Sequence, residues 1–301
     1  MRQITSIAVL TLWAASAGAQ QPTQRATDGW PLDMDGTIRI HNFNGTVTVT
    51  GWDRDSVAIT AVIDGKTLAG RKPLFGGGSR SGVKMGVNTV DDAKTAPAAD
   101  FTVFVPSRAR LSIRGAATTI DIRNFAGTVD ASTLSGKIHI AGSVTEITAE
   151  TMDGDLEVEA SPTYLRGKTA TGRISWTGSS DDVSLSTVSG TIVATGGTLF
   201  RGRFESISGD LKFAGGVKPD GRVGFDTHGG DVTLAFSRET RAEVTVDAPR
   251  WNVLGAEPTP SRPAKRAQIF GVPTAGIYNG KARPADVDAR SFKGRITVTQ
   301  P

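Results

Sequence analysis

A five-residue unit, glycine followed by alternating polar and apolar residues, recurs along this chain at a nearly constant interval. It appears as Gly136 to Ile140 (GKIHI), Gly154 to Val158 (GDLEV), Gly172 to Trp176 (GRISW), Gly190 to Ala194 (GTIVA), Gly209 to Phe213 (GDLKF) and Gly230 to Leu234 (GDVTL). The glycines are spaced 18, 18, 18, 19 and 21 residues apart. Earlier copies begin at Gly36, Gly45 and Gly127, and a late copy begins at Gly294. Self-similarity at a fixed period is the mark of stacked repeats.

Within each unit the period is two, which is the pattern of a half-buried strand. Ile138, Leu156, Ile174, Ile192, Leu211 and Val232 form one apolar column. Ile140, Val158, Trp176, Ala194, Phe213 and Leu234 form the next. Half a period earlier a second strand carries Val129, Ile147, Leu165, Val183 and Val223. One such repeat cannot bury its own apolar face. Stacking copies at about 4.8 Å gives each strand two hydrogen-bonding neighbours and merges the columns into one core. The expected fold is therefore all-β: a single-stranded β-solenoid (β-helix) with rungs of about 18 residues and two short strands per rung. An antiparallel sandwich of short strands is the alternative, but it does not require an 18-residue register.

Polar columns align as well. Thr133, Thr151, Thr169, Thr187, Ser206 and Thr227 stand three residues before their glycines, where stacked hydroxyls can bond one another or cap a turn. Lys137, Asp155 and Arg173 follow successive glycines and predict an alternating charge ladder, worth about 0–1 kcal/mol per exposed pair. The glycine is expected to supply a positive φ at the corner.

The ends of the chain carry different signals. Arg2, the apolar run Ile7 to Ala15 and the small residues Ala17 and Ala19 predict a secretory signal peptide over residues 1–19. That run is too short to span a bilayer, which takes about 20 residues, so no transmembrane segment is expected. Residues 20–29 read as a polar linker, and residues 30–299 as the β-solenoid domain. Glycine- and proline-rich stretches predict irregular inserts at about 64–100 and 254–286, the first as a flexible excursion. The last unit, Val287 to Thr299, is expected to cap the edge of the stack.

With no cysteine, disulfides, thiolate metal sites and thiol nucleophiles are excluded. The formal net charge is only +4, but between Arg250 and Arg295 nine basic residues face three acidic ones. That 250–295 region suits peripheral contact with an anionic surface. Nucleic acid is not an expected partner, because basic and aromatic residues do not interleave.

The segment Gly45 to Asp53 (GTVTVTGWD), the strand ending at Pro106 and the T-x-S/D-G-x-I units resemble the bacterial adhesin-like family of domains of unknown function, over most of residues 30 to 299. The resemblance implies a β-solenoid in a secreted or envelope protein. It supplies no catalytic residues. The inserts at 64–100 and 250–285 depart from a minimal member.

No catalytic, cofactor-binding or metal-ligating residue is assigned. His41, His139 and His228 are the only histidines, and none has metal-ligand spacing with another donor. No Gly-x-Ser-x-Gly elbow is present, and Gly76 to Gly78 lack the Lys-Ser/Thr of a phosphate loop. The carboxylates Asp153, Asp155 and Glu157 cluster, and Asp210 is expected near Asp231, as acid–base chemistry or calcium binding would need. Turn and outward strand positions account for them without such chemistry, and no calcium-binding nonapeptide repeat is present. The expected function is a non-catalytic exported adhesin-like or scaffold protein of the cell envelope, binding a surface, glycan, polymer or protein partner in the periplasm, outside the cell or on its surface. A polysaccharide-active enzyme using carboxylates on the solenoid face is the alternative. End-to-end self-assembly is a third reading, since a stack ends in unpaired strand edges.

Overall fold

The computed structural model describes residues 23–64, 74–87, 97–253, 256–258, 265–269 and 283–300. The expected signal at 1–19 lies outside them. Among the described residues every regular element is a strand, and the strands join in one hydrogen-bonded sheet.

Two ladders run through this sheet. In the first, Thr128–Ser135, Glu146–Asp153, Tyr164–Lys168 and Ser180–Thr187 pair in parallel, continuing into residues 201–206 and 222–227. In the second, Ile138–Gly142, Leu156–Ala160 and Ile174–Thr177 pair in parallel, continuing into residues 192–195, 211–215 and Val232–Phe236. Leu156 is partnered by Ile138 on one side and Ile174 on the other, so the 18-residue period of the sequence is the hydrogen-bond register. Inward residues of both ladders form one core, in which Ile138, Leu156, Leu165, Ile174 and Leu185 are fully buried. Phe204, Phe213, Phe225 and Phe236 gather toward one end, where Phe204 stacks on Phe225 with ring centroids 4.8 Å apart.

Not every repeat consists of two short strands. Thr37–Trp52, Arg110–Phe125, Ile192–Ser206 and Leu211–Thr227 are single long strands that bend from one ladder into the other. The longer spacings after Gly190 and Gly209 are absorbed at the corner remote from the glycines, where register shifts fall between Thr195 and Arg201.

The glycine corner is closed by the hydroxyl column. Thr187 Oγ1 accepts the N–H of Gly190 (3.0 Å) and donates to the carbonyl of Ala170 (3.3 Å). Thr227 accepts from Gly230 and donates to Gly209, and Ser291 accepts from Gly294 and donates to Gly230. Each hydroxyl thus ties its own corner to the preceding repeat and does not bond to the next hydroxyl. Thr187→Val should cost about 1–2 kcal/mol in urea unfolding, because a buried N–H loses its acceptor, while Thr187→Ser should be close to neutral. Equal stability of the two variants would show that the clamp is inert.

The glycines themselves serve a different purpose from the one expected. Of the six central repeat glycines only Gly136 has a positive φ. The others are needed for close approach: a Cβ on Gly154, Gly172, Gly190, Gly209 or Gly230 would fall well under 3.0 Å from the carbonyl oxygen of the glycine one repeat earlier.

Both ends are assembled out of sequence order. Residues 37–52 insert between the unit built from Gly82–Val87 and Ala99–Pro106 and the unit at 110–125. At the other end, Ala285–Ser291 and Arg295–Thr299 insert between the unit at 222–236 and the unit at 242–253. The last copy of the repeat is therefore an internal layer and not the closing strand. Antiparallel strands cover the first ladder at both ends and the second at one: Ser56–Asp64 and Thr23–Pro31 lie beyond Ala99–Pro106, Leu74–Ser79 beyond Gly82–Val87, and Lys265–Ile269 beyond Ala242–Asp247. Antiparallel covers of this kind interrupt the parallel template that a bare end would present.

Three boundaries change accordingly. Residues 23–29 are strand and not linker, because they pair with Ser56–Asp64. The 64–100 stretch contains a hairpin whose Gly82–Val87 arm pairs with residues 37–41. One of its glycines makes room for an indole, since a Cβ on Gly76 would collide with the ring of Trp30. The 254–286 stretch contributes Ala256–Pro258 and Lys265–Ile269.

Candidate functional site

The hydroxyl clamp determines what stands beside it. With Thr187 turned inward at its corner, the next residue, Val188, must point out. The same alternation places Phe43, Ala116, Leu134, Met152, Ala170, Ile207, His228 and Phe292 in one column with Val188. Backbone bonds confirm the register: Ala170 donates to Met152 (3.1 Å), Val188 to Ala170 (3.1 Å) and Ile207 to Val188 (3.2 Å). His228 and Phe292 stack with ring centroids 4.9 Å apart. Nine positions at about 4.8 Å span roughly 38 Å.

The large members of this column are exposed: Leu134 58%, Met152 60%, Val188 49%, Ile207 56%, Phe292 69% and Phe43 49%. Scattered apolar surface residues are ordinary, whereas a contiguous apolar patch marks an interaction site. Beside the column runs a groove of about 810 Å³, reaching from Gly115 to His228. Buried hydroxyls line it between two walls. One wall is the apolar column, and the other carries Ser132, Glu150, Lys168, Ser186, Glu205 and Asp226. The local excess of acid over base in that wall contrasts with the basic chain as a whole.

The carboxylates singled out in the sequence do not converge on a common cleft. Asp153 accepts the hydroxyl of Thr171 (2.9 Å), and Asp155 accepts the backbone N–H of Arg173 (2.8 Å). Glu157 pairs with Lys137, whose ammonium holds the carboxyl below its usual range. The predicted Lys137–Asp155–Arg173 ladder is thus not a chain of ion pairs: its aspartate caps the backbone of the next repeat. Asp210 and Asp231 repeat the device, accepting the N–H of Asp231 (2.9 Å) and Arg295 (2.8 Å).

His139 Nδ1 lies 2.8 Å from Asp121 Oδ1 on the outer face of the second ladder. Burial there raises the Asp121 pKa, but hydrogen bonds from Arg123 and His139 outweigh it and hold the carboxyl below its usual value. His41 is pushed down by burial and by the nearby Lys84, Arg114 and Arg39. Among the described residues no group of three or more His, Asp or Glu is placed to hold a metal ion, and no helix is long and apolar enough to cross a membrane. Much of the basic 250–295 region lies outside the described residues. Of its described part, Arg250, Arg290, Lys293 and Arg295 are exposed near Phe292 and Trp251.

The apolar column is the feature that composition and motif reading pass over. Its signal lies inside the repeat motif: the residue between the hydroxyl and the pre-glycine position reads Leu134, Met152, Ala170, Val188, Ile207, His228 and Phe292, apolar in all but one copy where a turn would ordinarily be polar.

No protein-family model matches the chain, and no curated protein matches it. Among solved structures the chain is similar to a candidate adhesin from Bacteroides fragilis, at 12% identity over 94% of this chain and 100% of that one, TM-score 0.40. It is similar to a candidate lipid-binding protein from Parabacteroides distasonis, at 13% identity over 91% and 97%, TM-score 0.36, and to a candidate cell adhesion protein from Clostridium sporogenes, at 8% identity over 93% and 100%, TM-score 0.26.

Proposed function

We propose that this chain is an exported, non-catalytic β-solenoid scaffold, adhesin-like, which docks a partner along its glycine corner. One observation carries the reading: the exposed apolar column repeats in register through consecutive layers, and nothing in the core or the corner clamp requires it. Stability needs the inward columns and the hydroxyls. Outward Leu134, Met152, Val188 and Ile207 lose free energy by facing water, so their use lies in being covered. Export rests on the secretory signal expected at residues 1–19 and agrees with the lack of cysteine. The carboxylates that would serve a polysaccharide-active enzyme are occupied as backbone caps and surface pairs.

The test substitutes Met152 and Val188 by serine together. Binding of the purified exported chain to cell-wall fragments, glycans and lipid vesicles is then compared with that of the unaltered chain. The double variant should keep its melting temperature within about 2 °C, because both residues are exposed, and should bind its partner at least about tenfold more weakly. Undiminished binding would remove the column from the proposal. Release of sugar products from a polysaccharide panel, abolished by Asp155→Ala, would replace the scaffold reading with an enzymatic one.

A further inference from the structure

Resting on that reading of the column as a docking face, we infer that its partner is a second copy of this chain, lying antiparallel across a two-fold axis that passes between the levels of Met152 and Ala170. The spacing of the column supports this. Its side chains repeat at about 4.8 Å, the distance between hydrogen-bonded strands. A helix presents side chains at about 5.4 Å per turn and an extended strand at about 6.7 Å per same-face residue, so neither stays in step over seven or eight layers. Another column of stacked strands does, and this chain carries one.

A two-fold contact is self-complementary: what one copy offers to the other, it also receives. With the axis placed between them, Met152 meets Ala170 and Leu134 meets Val188, so the larger side chains find smaller ones. Charge then narrows the position further. In the wall beside the column, Glu150 shares a level with Met152 and Lys168 with Ala170, as their direct pairing shows. The axis therefore brings Glu150 of each copy against Lys168 of the other. Two layers further out, Arg114 comes against Glu205. On the opposite flank, Asp155 comes against Arg173.

Most other axes that keep Leu134 through Ile207 inside the contact set like charges opposite each other. At the level of Met152, Glu150 would face its own copy, and at the level of Ala170, Lys168 would do so. Between Ala170 and Val188, Glu150 would face Glu205. Level with Val188 it would face Asp226. Between Val188 and Ile207 charge does not object, since Glu150 would face Arg290 and Lys168 would face Asp226, but bulk does: Met152 would meet Phe292 and Val188 would meet Ile207, large against large. Like-charge juxtaposition is how protein surfaces reject a wrong register.

The experiment is sedimentation velocity on the purified exported chain across a concentration series. Dimer mass is expected, with the dissociation constant raised about tenfold by Glu150→Lys or by Lys168→Glu, each of which turns two attractions into repulsions. The double variant Glu150→Lys with Lys168→Glu should return to within about threefold of the unaltered chain, a rescue that a folding defect would not show. Register is read separately, since the chain has no cysteine of its own. Under oxidation Met152→Cys should cross-link to its own copy, the two positions being about 5 Å apart along the axis. Val188→Cys, about 14 Å from its copy, should not. A monomer at every concentration overturns the inference, as does a dimer cross-linked through Val188→Cys. If the chain is monomeric and the Met152/Val188 serine variant still loses binding to envelope material, the docking face stands and only the second copy is wrong. If that variant loses nothing, both readings fail.

Discussion

Gly190→Ala is expected to lower the unfolding free energy by at least about 3 kcal/mol, whereas Gly224→Ala should be neutral or raise it by up to about 1 kcal/mol. Both glycines lie in the repeat region and neither has a positive φ, so backbone preference predicts similar effects. Surroundings separate them. A Cβ at Gly224 meets nothing within 4 Å, and alanine there only narrows the unfolded ensemble. A Cβ at Gly190 lands on the carbonyl of Gly172, and the obstacle is backbone that cannot rotate away like a side chain. Relief would require the two repeats to part at the corner. That would stretch the Thr187 bonds to Gly190 and Ala170 and disturb the pairing of Ile174 with Ile192 just beyond. Urea unfolding of the two variants checks this, and equal midpoints would mean that the corner is loosely packed and the glycine column has another cause.

The middle of the fold was legible in the sequence because its parallel register is the repeat period. Ile138, Leu156, Ile174 and Ile192 align by counting, and alternation alone puts them inside. The ends were not legible, for a physical reason. Parallel pairing is made by backbone groups, and an inward Ile or Val fits any neighbouring layer with the same column. Ile38 lies between Val83 and Leu111, and nothing local to Ile38 distinguishes that placement from the sequential one. The glycine-rich run near Gly76 reads as flexible because its partner, the ring of Trp30, is more than forty residues away. The apolar column was printed in the motif but occupied a position that turn chemistry assigns to polar residues. A method that seeks apolar residues by the core's period of two finds the core and overlooks a second apolar periodicity facing water.

The inward–outward assignment carries the other large effect. Ile174→Asp should destabilise by at least about 4 kcal/mol, while the adjacent Ser175→Asp should cost about 1 kcal/mol or less. Ile174 is fully buried, hydrogen-bonded through its backbone between Leu156 and Ile192. The substitution removes its apolar burial and puts a carboxyl where only hydrocarbon surrounds it. Ser175 faces outward between Glu157 and Val193, so a new carboxylate there is hydrated and meets only the screened repulsion of Glu157. The two variants should also differ with pH. Burial raises the folded-state pKa of the new carboxyl at 174 above its unfolded value near 4. The unfolded chain then binds fewer protons than the folded one between those two values, so stability falls as pH rises through that window. The deficit of Ile174→Asp relative to the unaltered chain should therefore be larger at pH 7 than at pH 4, where the carboxyl is protonated in the folded state and about half so in the unfolded one. For Ser175→Asp the deficit should be small at both. Denaturation midpoints at the two pH values decide it: a Ser175→Asp deficit as large and as pH-dependent as that of Ile174→Asp would mean that the strand is turned over and the apolar columns do not face the core.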